Sequence, residues 1–279
     1  MATIVAIANR KGGVGKTLTS RSFSTCLAHK GFKVLAVDGD PQGDLTRQFG
    51  IMPSALSGKL TLASLMQAEI ANRTNMDDGE DFDDHPSYEY STEDAIITTS
   101  DNVDLLPSVE DKLTPVKNRL AEALGREYVL KTILTQVEDS YDYIIIDCPP
   151  DVGLLTINLL AAADKVIMPA FTEESSLTAI VKMSKVIKMV EKNNNPNLEV
   201  DGILFTKVQK HTRVAKTYMQ ATKESFPFYL YDAYIPMGIS AAESAALHES
   251  IFSFDKNGAV AKAYEDFTEE FLKKEQNES

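Results

Sequence analysis

Apolar runs recur along the chain and alternate with segments whose apolar residues have helical spacing. The first run, residues 3–8, is almost continuously apolar, as expected of a strand buried on both faces of a parallel sheet. A glycine-rich segment follows, and residues 16–30 then have the pattern of a helix that ends at Gly31. The order of strand, glycine loop and helix is the structural setting that a phosphate-binding loop requires.

The same alternation continues along the rest of the chain. Strands are predicted at residues 33–38, 95–98, 102–107, 143–147, 166–169 and 202–206. Helices are predicted at residues 61–70, 109–123, 126–138, 153–163, 173–192 and 264–275. This alternation predicts an α/β fold with a doubly wound, mostly parallel sheet. At 279 residues the chain is expected to form one domain, residues 1–279.

Charge changes this picture at one segment. The net charge is −13, and residues 77–94 hold nine of the acidic residues with no Lys or Arg. The apolar residues there are too sparse for a core element, so we expect an acidic surface insertion at about residues 72–94. It is either a solvated loop or a docking surface for a basic partner.

Composition also narrows the cellular setting. No apolar run approaches the roughly 18 residues that a membrane span needs, and the first strand starts too early to leave room for a signal peptide. Cys26 and Cys148 have neither metal-ligand spacing nor a paired framework, so we expect buried thiols. These features predict a cytoplasmic protein that does not insert into a membrane.

Residues 9–17, with the sequence Asn-Arg-Lys-Gly-Gly-Val-Gly-Lys-Thr, form the candidate phosphate loop. Its glycines let the backbone approach phosphates and adopt positive φ, so that N–H groups and the helix N-terminus face the anion. Lys16 is expected to bridge the β- and γ-phosphate oxygens, and the Thr17 hydroxyl to ligate Mg²⁺. The nucleotide-binding residues expected here are Lys11, Gly12, Gly13, Val14, Gly15, Lys16, Thr17 and Leu18.

Carboxylates stand at the ends of two predicted strands. Asp147 ends the strand at residues 143–147, and Asp38 and Asp40 lie at the end of the strand at residues 33–38. Ligands of open α/β sheets bind at the carboxyl ends of the strands, and a Mg²⁺–nucleotide site needs a carboxylate near the phosphate loop. The three carboxylates therefore complete a candidate Mg²⁺–nucleotide site.

Three motifs carry a resemblance to a known family: residues 11–17 (KGGVGKT), residues 37–43 (VDGDPQG) and residues 144–150 (IIIDCPP). Together they resemble the deviant Walker A ATPases, most closely the ParA branch that partitions plasmids and chromosomes. The resemblance implies a P-loop NTPase fold of the ParA/MinD type, with ATP as substrate and Mg²⁺ as metal. It also implies a homodimer in which two monomers sandwich two ATP molecules.

The resemblance assigns roles to individual residues. Lys11 would reach the phosphates bound by the partner subunit, and Asp40 would position or polarise the attacking water. Asp38 would support the Mg²⁺ shell, Asp147 would be the Walker B carboxylate, and Thr206 and Pro236 would lie near the adenine. The catalytic residues implied are thus Lys11, Lys16 and Asp40, and the metal site comprises Thr17, Asp38 and Asp147.

The resemblance also implies DNA binding without sequence preference in the ATP state, for which phosphate contacts from Lys and Arg suffice. Residues 207–223 contain several basic residues and no acid, and lysines recur along the predicted helix at residues 173–192. The candidate DNA contacts are Lys182, Lys185, Lys207, Lys210, Arg213 and Lys216. The chain departs from the family pattern, because residues 235–243 contain no basic residue and His211 stands where an arginine is often found.

The function implied is an ATP-dependent dimeric switch for DNA partition, stimulated by a ParB-like centromere-binding protein and associated with the nucleoid when ATP is bound. The alternative is a MinD-like ATPase that associates with a membrane or positions another cargo, and a metabolic or amide-forming P-loop enzyme is a third class. A MinD-type protein is expected to end in a basic amphipathic helix. Residues 264–275 contain five acids against two lysines, which favours a helix packed on the core.

Overall fold

A seven-stranded sheet forms the centre of the computed structural model, which describes residues 1–75, 88–209 and 212–278. The strands are β1 (Thr3–Ile7), β2 (Val34–Asp38), β3 (Ile97–Thr98), β4 (Asp104–Leu106), β5 (Tyr143–Asp147), β6 (Lys165–Ala170) and β7 (Glu199–Phe205). Their order is β3-β4-β2-β5-β1-β6-β7. Only the β3–β4 pair is antiparallel within the described strands. The structure thus confirms the predicted doubly wound, mostly parallel sheet.

Helices cover both faces of this sheet. They are α1 (Lys16–His29), α2 (Asp44–Gln48), α3 (Leu62–Asn75), α4 (Leu113–Arg119), α5 (Val129–Thr135), α6 (Leu154–Ala161), α7 (Glu174–Asn193), α8 (Arg213–Ser225), α9 (Ile239–Ala246), α10 (Ile251–Phe254) and α11 (Ala259–Glu278). One apolar layer contains residues of α3 to α7, and the layer on the opposite face contains residues of α1, α2, α10 and α11. Successive residues of β1 enter opposite layers, because side chains alternate along a strand.

The C-terminal helix α11 packs on the core, as its acidic composition predicts. Phe267 and Phe271 are fully buried, and the centroids of their rings lie 5.2 and 5.0 Å from that of Phe23 in α1. Cys26 and Cys148 are buried free thiols, also as predicted. No helix within the described residues is long and apolar enough to cross a bilayer.

Two helices are shorter than the sequence pattern predicts. α4 and α5 occupy Leu113–Arg119 and Val129–Thr135, whereas the pattern predicts helices over residues 109–123 and 126–138. Asp111 and Gly125 have φ angles of 68° and 57°, and such left-handed residues interrupt a right-handed helix. The helices α2, α9 and α10 are not predicted, because each is too short for its periodicity to be recognised. The longer helix α8 is not predicted either; the sequence analysis identifies residues 207–223 only as a basic segment.

The helix predicted at residues 61–70 continues as α3 to Asn75. The Asn72 side chain exchanges hydrogen bonds of 3.2 and 2.8 Å with the backbone of Tyr88, and the Tyr90 hydroxyl donates to Glu69 Oε2 at 2.8 Å. Residues 88–90, which belong to the predicted acidic insertion, therefore lie against α3. The prediction for residues 76–87 lies outside the described residues.

Candidate functional site

The phosphate loop joins β1 to α1 at the centre of the sheet. Gly13 and Gly15 have φ angles of 74° and 82°, which only glycine adopts at little cost. No atom lies within 4 Å of the position that a Cβ would take at Gly12 or Gly13, so the loop is open on the ligand side. α1 begins at Lys16, and its free N–H groups and dipole favour an anion at this end.

Two hydrogen bonds from distant segments hold the loop in place. Asn9 Nδ2 donates to the Pro169 carbonyl at the end of β6 (2.6 Å), and Thr206 Oγ1 donates to the Val14 carbonyl (2.8 Å). Val14, which the sequence places among the nucleotide-binding residues, is fully buried. The Val14 carbonyl is therefore turned toward Thr206, which follows β7.

Asp38 and Asp147 lie side by side at the ends of β2 and β5. They are register partners on neighbouring strands, and both are fully buried. Asp38 Oδ2 accepts hydrogen bonds from the Thr46 backbone N–H (2.8 Å) and hydroxyl (2.6 Å), and Asp147 Oδ1 accepts from the Ser20 hydroxyl (2.9 Å). Burial raises the pKa of Asp38 to about 7, and burial together with the charge of Asp38 raises the pKa of Asp147 to about 8.

The remaining oxygens of this pair, Asp38 Oδ1 and Asp147 Oδ2, have no hydrogen bond of ordinary geometry among the described residues. Against the larger effect of burial, the Asp40 N–H and the Thr17 hydroxyl are near enough to lower the pKa of Asp38 and of Asp147 respectively. Two buried carboxylates with orphaned oxygens fit a divalent cation, whose charge would offset the cost of their burial. Thr17 lies three residues before Ser20 on α1, so the two hydroxyls are on the same face of the helix. Ser20 is the residue that donates to Asp147. The described residues hold no cluster of three or more His, Cys, Asp or Glu that could hold a metal ion.

A tight turn after β2 presents Asp40 to the same site. The Gly39 N–H donates to the Asp147 carbonyl (3.0 Å), and a Cβ at Gly39 would lie only 2.7 Å from that carbonyl oxygen, so this position requires glycine. Asp40 Oδ1 accepts a hydrogen bond from the Gln42 N–H (3.0 Å), and burial raises the pKa of its carboxyl. Asp40 is partly exposed and lines the cleft described below.

The two lysines of the loop have different surroundings. Lys16 is 7% exposed at the start of α1. Lys11 is bonded within its own chain, through Nζ, to Glu173 and to Ser175 Oγ (2.5 Å), and its Nζ lies 5.2 Å from the centroid of the Phe171 ring. The Lys11 ammonium group is therefore bonded to residues that follow β6, and Lys11 does not line the cleft that contains Lys16.

Lys207, predicted as a DNA contact, lies at the phosphate loop. Its Nζ donates to the Gly13 carbonyl (3.2 Å) and lies 5.2 Å from the centroid of the same Phe171 ring that contacts Lys11. Its backbone has a φ of 51°, an unusual value for lysine that often marks a functional constraint.

A cleft of about 970 Å³ extends from the phosphate loop and Asp40 to a second wall on the side of β7. Lys16, Thr17, Leu18 and Asp40 line one part of it, and Thr206 and Pro236 line the other part, where the adenine is predicted. Much of that second wall is α9, through Ala241, Ala242 and Ala245. These small side chains give no motif by which the sequence could have assigned them to the cleft.

Two further charged residues of the cleft are absent from the sequence predictions. Lys117 of α4 forms an ion pair with Asp151, which lies in the turn after β5. Both residues line the cleft, together with Thr114, on the side where Asp40 lies. The pair joins segments far apart in the chain, so neither charge stands out as functional in the sequence.

The other basic residues predicted to contact DNA lie outside the cleft. Lys182 and Lys185 are exposed on α7, and Arg213 and Lys216 are exposed on α8. None of them forms an ion pair within the described part of the chain. Lys210 and His211 lie outside the described residues.

Comparisons with known proteins give a consistent picture over nearly the whole chain. The family model AAA_31, described as an AAA domain, matches residues 2–200. The chain is 33% identical over 270 residues to the sporulation initiation inhibitor protein Soj of Bacillus subtilis, covering 97% of this chain and 98% of Soj. It is 28% identical over 276 residues to the chromosome partitioning protein ParA of Caulobacter vibrioides, covering 98% and 95% of the two chains.

A solved structure shows a closely similar fold. Cobyrinic acid a,c-diamide synthase from Mycobacterium smegmatis, with a bound ATP analog and magnesium, matches with a TM-score of 0.81 and 26% identity. The match covers 100% of this chain and 98% of the synthase. The likeness therefore extends well beyond the phosphate loop.

Proposed function

This chain belongs to the ParA/MinD superfamily of P-loop ATPases, and we propose that it is an ATP-driven switch for DNA partition. In this proposal the cleft binds ATP with Mg²⁺, the ATP-bound chain forms a homodimer, and the dimer binds DNA without sequence preference. A ParB-like protein stimulates hydrolysis, which returns the chain to the monomer. The similarity to a chromosome partitioning protein over 98% of the chain supports the partition role.

The orphaned carboxylate pair carries the nucleotide-binding part of the proposal. Asp38 and Asp147 stand beside the phosphate loop with one unpartnered oxygen each, where a bound Mg²⁺ would neutralise charge on the β- and γ-phosphates. Lys16 binds β- and γ-phosphate oxygens from the start of α1, and the Thr17 hydroxyl completes the metal site. Asp40, at the cleft opening, orients the attacking water and favours its in-line approach.

Lys11 supplies the link between nucleotide and dimer. In the single chain its ammonium group is bonded to Glu173 and Ser175 rather than to the phosphate loop. An exposed pair of this kind is weak, so the phosphates of a partner subunit can displace Glu173. Dimer formation therefore exchanges one contact of Lys11 for another, and it depends on a nucleotide in the partner.

DNA binding by the dimer is assigned to the exposed basic residues of α7 and α8. Lys182, Lys185, Arg213 and Lys216 extend into solvent, where phosphate oxygens can reach them without displacing an internal partner. Each chain offers a weak surface, and two copies held in one dimer gain affinity from being presented together. This is why ATP should control DNA binding although these four basic residues lie on α7 and α8 and do not line the nucleotide cleft.

The membrane-associated alternative receives less support from the described C-terminal helix. Phe267 and Phe271, the apolar residues that an amphipathic anchor would offer to lipid, are fully buried against α1. A membrane role would require α11 to leave the core and expose these rings. We therefore place the partition switch first.

The proposal is tested by sedimentation of the protein with duplex DNA and with anionic liposomes, with and without Mg²⁺–ATP. The expected result is a dimer that forms only with ATP and co-sediments with DNA at low salt, with affinity that falls steeply as salt rises. Lys16→Ala is the control that should remove both effects. A dimer that ignores DNA and sediments with liposomes contradicts the partition role and supports the membrane alternative.

A further inference from the structure

Lys117 occupies a defined place in the cleft. Helix α4 carries it to the turn after β5, where its Nζ forms an ion pair with Asp151 Oδ2. A Cβ at Gly153 would lie 3.2 Å from Lys117 Cε and 3.7 Å from its Nζ, so the lysine lies directly against this turn. Thr114, one helical turn earlier on α4, lines the same wall.

Sheet topology determines which part of a nucleotide this wall meets. The phosphate loop follows β1, and Thr206 and Pro236 lie on the side of β7. Asp40 follows β2, Asp151 follows β5, and Lys117 is on the helix after β4, so all three lie on the opposite side of β1. A nucleotide with its base toward Thr206 and Pro236 and its phosphates in the loop therefore directs its terminal phosphate toward Lys117.

The wall around Lys117 is otherwise acidic. Its cleft-lining residues include the carboxylates of Asp40, Asp44 and Asp151. A γ-phosphate would enter this acidic surrounding next to Lys16, so a second cation on this wall favours ATP over ADP.

The Lys117–Asp151 pair is suited to exchange its partner. The two side chains are 34% and 45% exposed, and an ion pair this exposed contributes little stability. Release of Lys117 from Asp151 would also affect the Asp38 end of the site, because the segment before α4 is hydrogen-bonded to it. The Ser108 N–H, in the segment before α4, donates to Thr46 Oγ1 (2.9 Å), and that hydroxyl donates to Asp38 (2.6 Å).

We propose that Lys117 is the residue by which this chain distinguishes ATP from ADP: its ammonium group leaves Asp151 and binds the γ-phosphate. Asp151 is its partner when the γ-phosphate is absent, and it competes with ATP for the lysine. The inference rests on the proposed ATPase function. It adds a γ-phosphate contact from α4 to those of the phosphate loop, and it links that contact to the segment that bonds the Asp38 site.

The test measures the affinities of ADP and of a non-hydrolysable ATP analogue for the full chain with Mg²⁺, by isothermal titration calorimetry. Lys117→Met should weaken binding of the ATP analogue by about tenfold, the effect of one charge-assisted hydrogen bond, and should change ADP affinity by less than about twofold. Lys117→Arg should restore most of the difference. Asp151→Asn should strengthen the ATP analogue relative to ADP, because the competing carboxylate is removed.

Lys112→Met is the matched control, since Lys112 is exposed just before α4 and does not line the cleft. Thermal melts of each variant show whether it is folded. Equal loss of affinity for both nucleotides in Lys117→Met, or weaker ATP-analogue binding in Asp151→Asn, would overturn the inference. Loss of ATP-dependent dimers or of DNA binding would count against the proposed function alone. The ratio of the ATP-analogue and ADP affinities, which tests the inference on Lys117, is measured without DNA and does not require dimers.

Discussion

Residues at the phosphate end of the cleft are fixed by burial and by hydrogen bonds, whereas the basic residues of α7 and α8 extend into solvent. Asp38 and Asp147 are fully buried and bonded to neighbouring hydroxyls. Lys185 and Lys216 are exposed, without an ion pair in the described part of the chain. In the buried site each group depends on its neighbours, so one substitution should abolish nucleotide binding or dimer formation. On α7 and α8 the charges act separately through solvent, so each substitution should weaken DNA binding by a part of its strength.

Lys207 shows why composition alone does not separate these two regions. In the sequence it begins the acid-free segment 207–223 and resembles the other surface lysines. In the structure it bonds the Gly13 carbonyl and lies over Phe171, so it belongs with the phosphate loop. A lysine acquires its role from the contact that its backbone position allows.

The largest effect is expected from Lys16→Ala. Lys16 is 7% exposed and lies among carboxylates, so its loss leaves the phosphates facing net negative charge. ATP affinity should fall by about a hundredfold or more, as measured by calorimetry with Mg²⁺. Lys30→Ala, at the far end of α1, is the control and should bind ATP normally. Affinity within about threefold of the parent protein in Lys16→Ala would mean that this end of the cleft is not the phosphate site.

The next effect concerns dimer formation. Lys11→Ala should keep most of the ATP affinity, because Lys11 contacts Glu173 and Ser175 rather than its own phosphate positions, but it should no longer dimerise with ATP. Glu173→Gln should have the opposite effect and lower the protein concentration needed for dimers by about threefold, since a weak competing pair is removed. Sedimentation velocity with and without ATP measures both.

Glu174→Gln is the matched control for Glu173→Gln, because the neighbouring acid is exposed and its substitution removes the same charge. Normal dimers in Lys11→Ala would remove the main argument for a contact across the interface. An identical response of the Glu173 and Glu174 variants would show that net charge, and not release of Lys11, controls assembly.

The same contrast explains how much the sequence could predict. The positions of the glycine loop between β1 and α1 and of the carboxylates that end β2 and β5 were predictable, because glycine spacing and strand-terminal acids have few structural solutions. The contacts of Lys11 with Glu173 and of Lys207 with Gly13 were not, since their partners are 162 and 194 residues away in the chain. α9 was missed because a short run of small residues has no distinctive pattern.

Charge reversal on α7 and α8 should weaken DNA binding in steps. Arg213→Glu with Lys216→Glu, and separately Lys182→Glu with Lys185→Glu, should each reduce the affinity of the ATP dimer for DNA. Each pair should also lower the slope of log affinity against log salt, by about one unit for every DNA phosphate that the variant no longer neutralises. Fluorescence anisotropy with duplex DNA over a range of salt measures this slope. ATP-dependent dimers should be unaffected in both variants.

Lys207→Met provides the comparison between the two regions. If Lys207 acts through Gly13, the variant should change nucleotide affinity and leave the salt slope of DNA binding as it was. A lower slope with normal ATP affinity would return Lys207 to the DNA-binding residues. Reversal variants of both helices that keep the full DNA affinity would show that DNA is bound by other residues or not at all.

The smallest effect is a pH-dependent change in thermal stability from the carboxylate pair. The pKa values of Asp38 and Asp147 are raised to about 7 and about 8, above the ordinary value of about 3.9 in the unfolded chain. Between these limits the folded chain holds protons that the unfolded chain has released, so the stability of the nucleotide-free protein should fall as pH rises from about 4 toward about 8. Bound Mg²⁺–ATP should therefore raise the melting temperature more at about pH 8 than at about pH 5.5.

Asp147→Asn separates this effect from the general charge of the chain. The amide keeps an oxygen for the Ser20 hydroxyl and cannot ionise, so the nucleotide-free variant should melt a few degrees above the parent protein at about pH 8 and close to it at about pH 5.5. Asp139→Asn, with a side chain 87% exposed, removes the same charge from the surface and should leave the pH profile unchanged. A parent protein whose stability rises over this range, or an Asp147→Asn variant with the parent profile, would show that the buried pair does not hold these protons. Binding of the cation would then need an explanation other than the free-energy cost of burying two carboxylates.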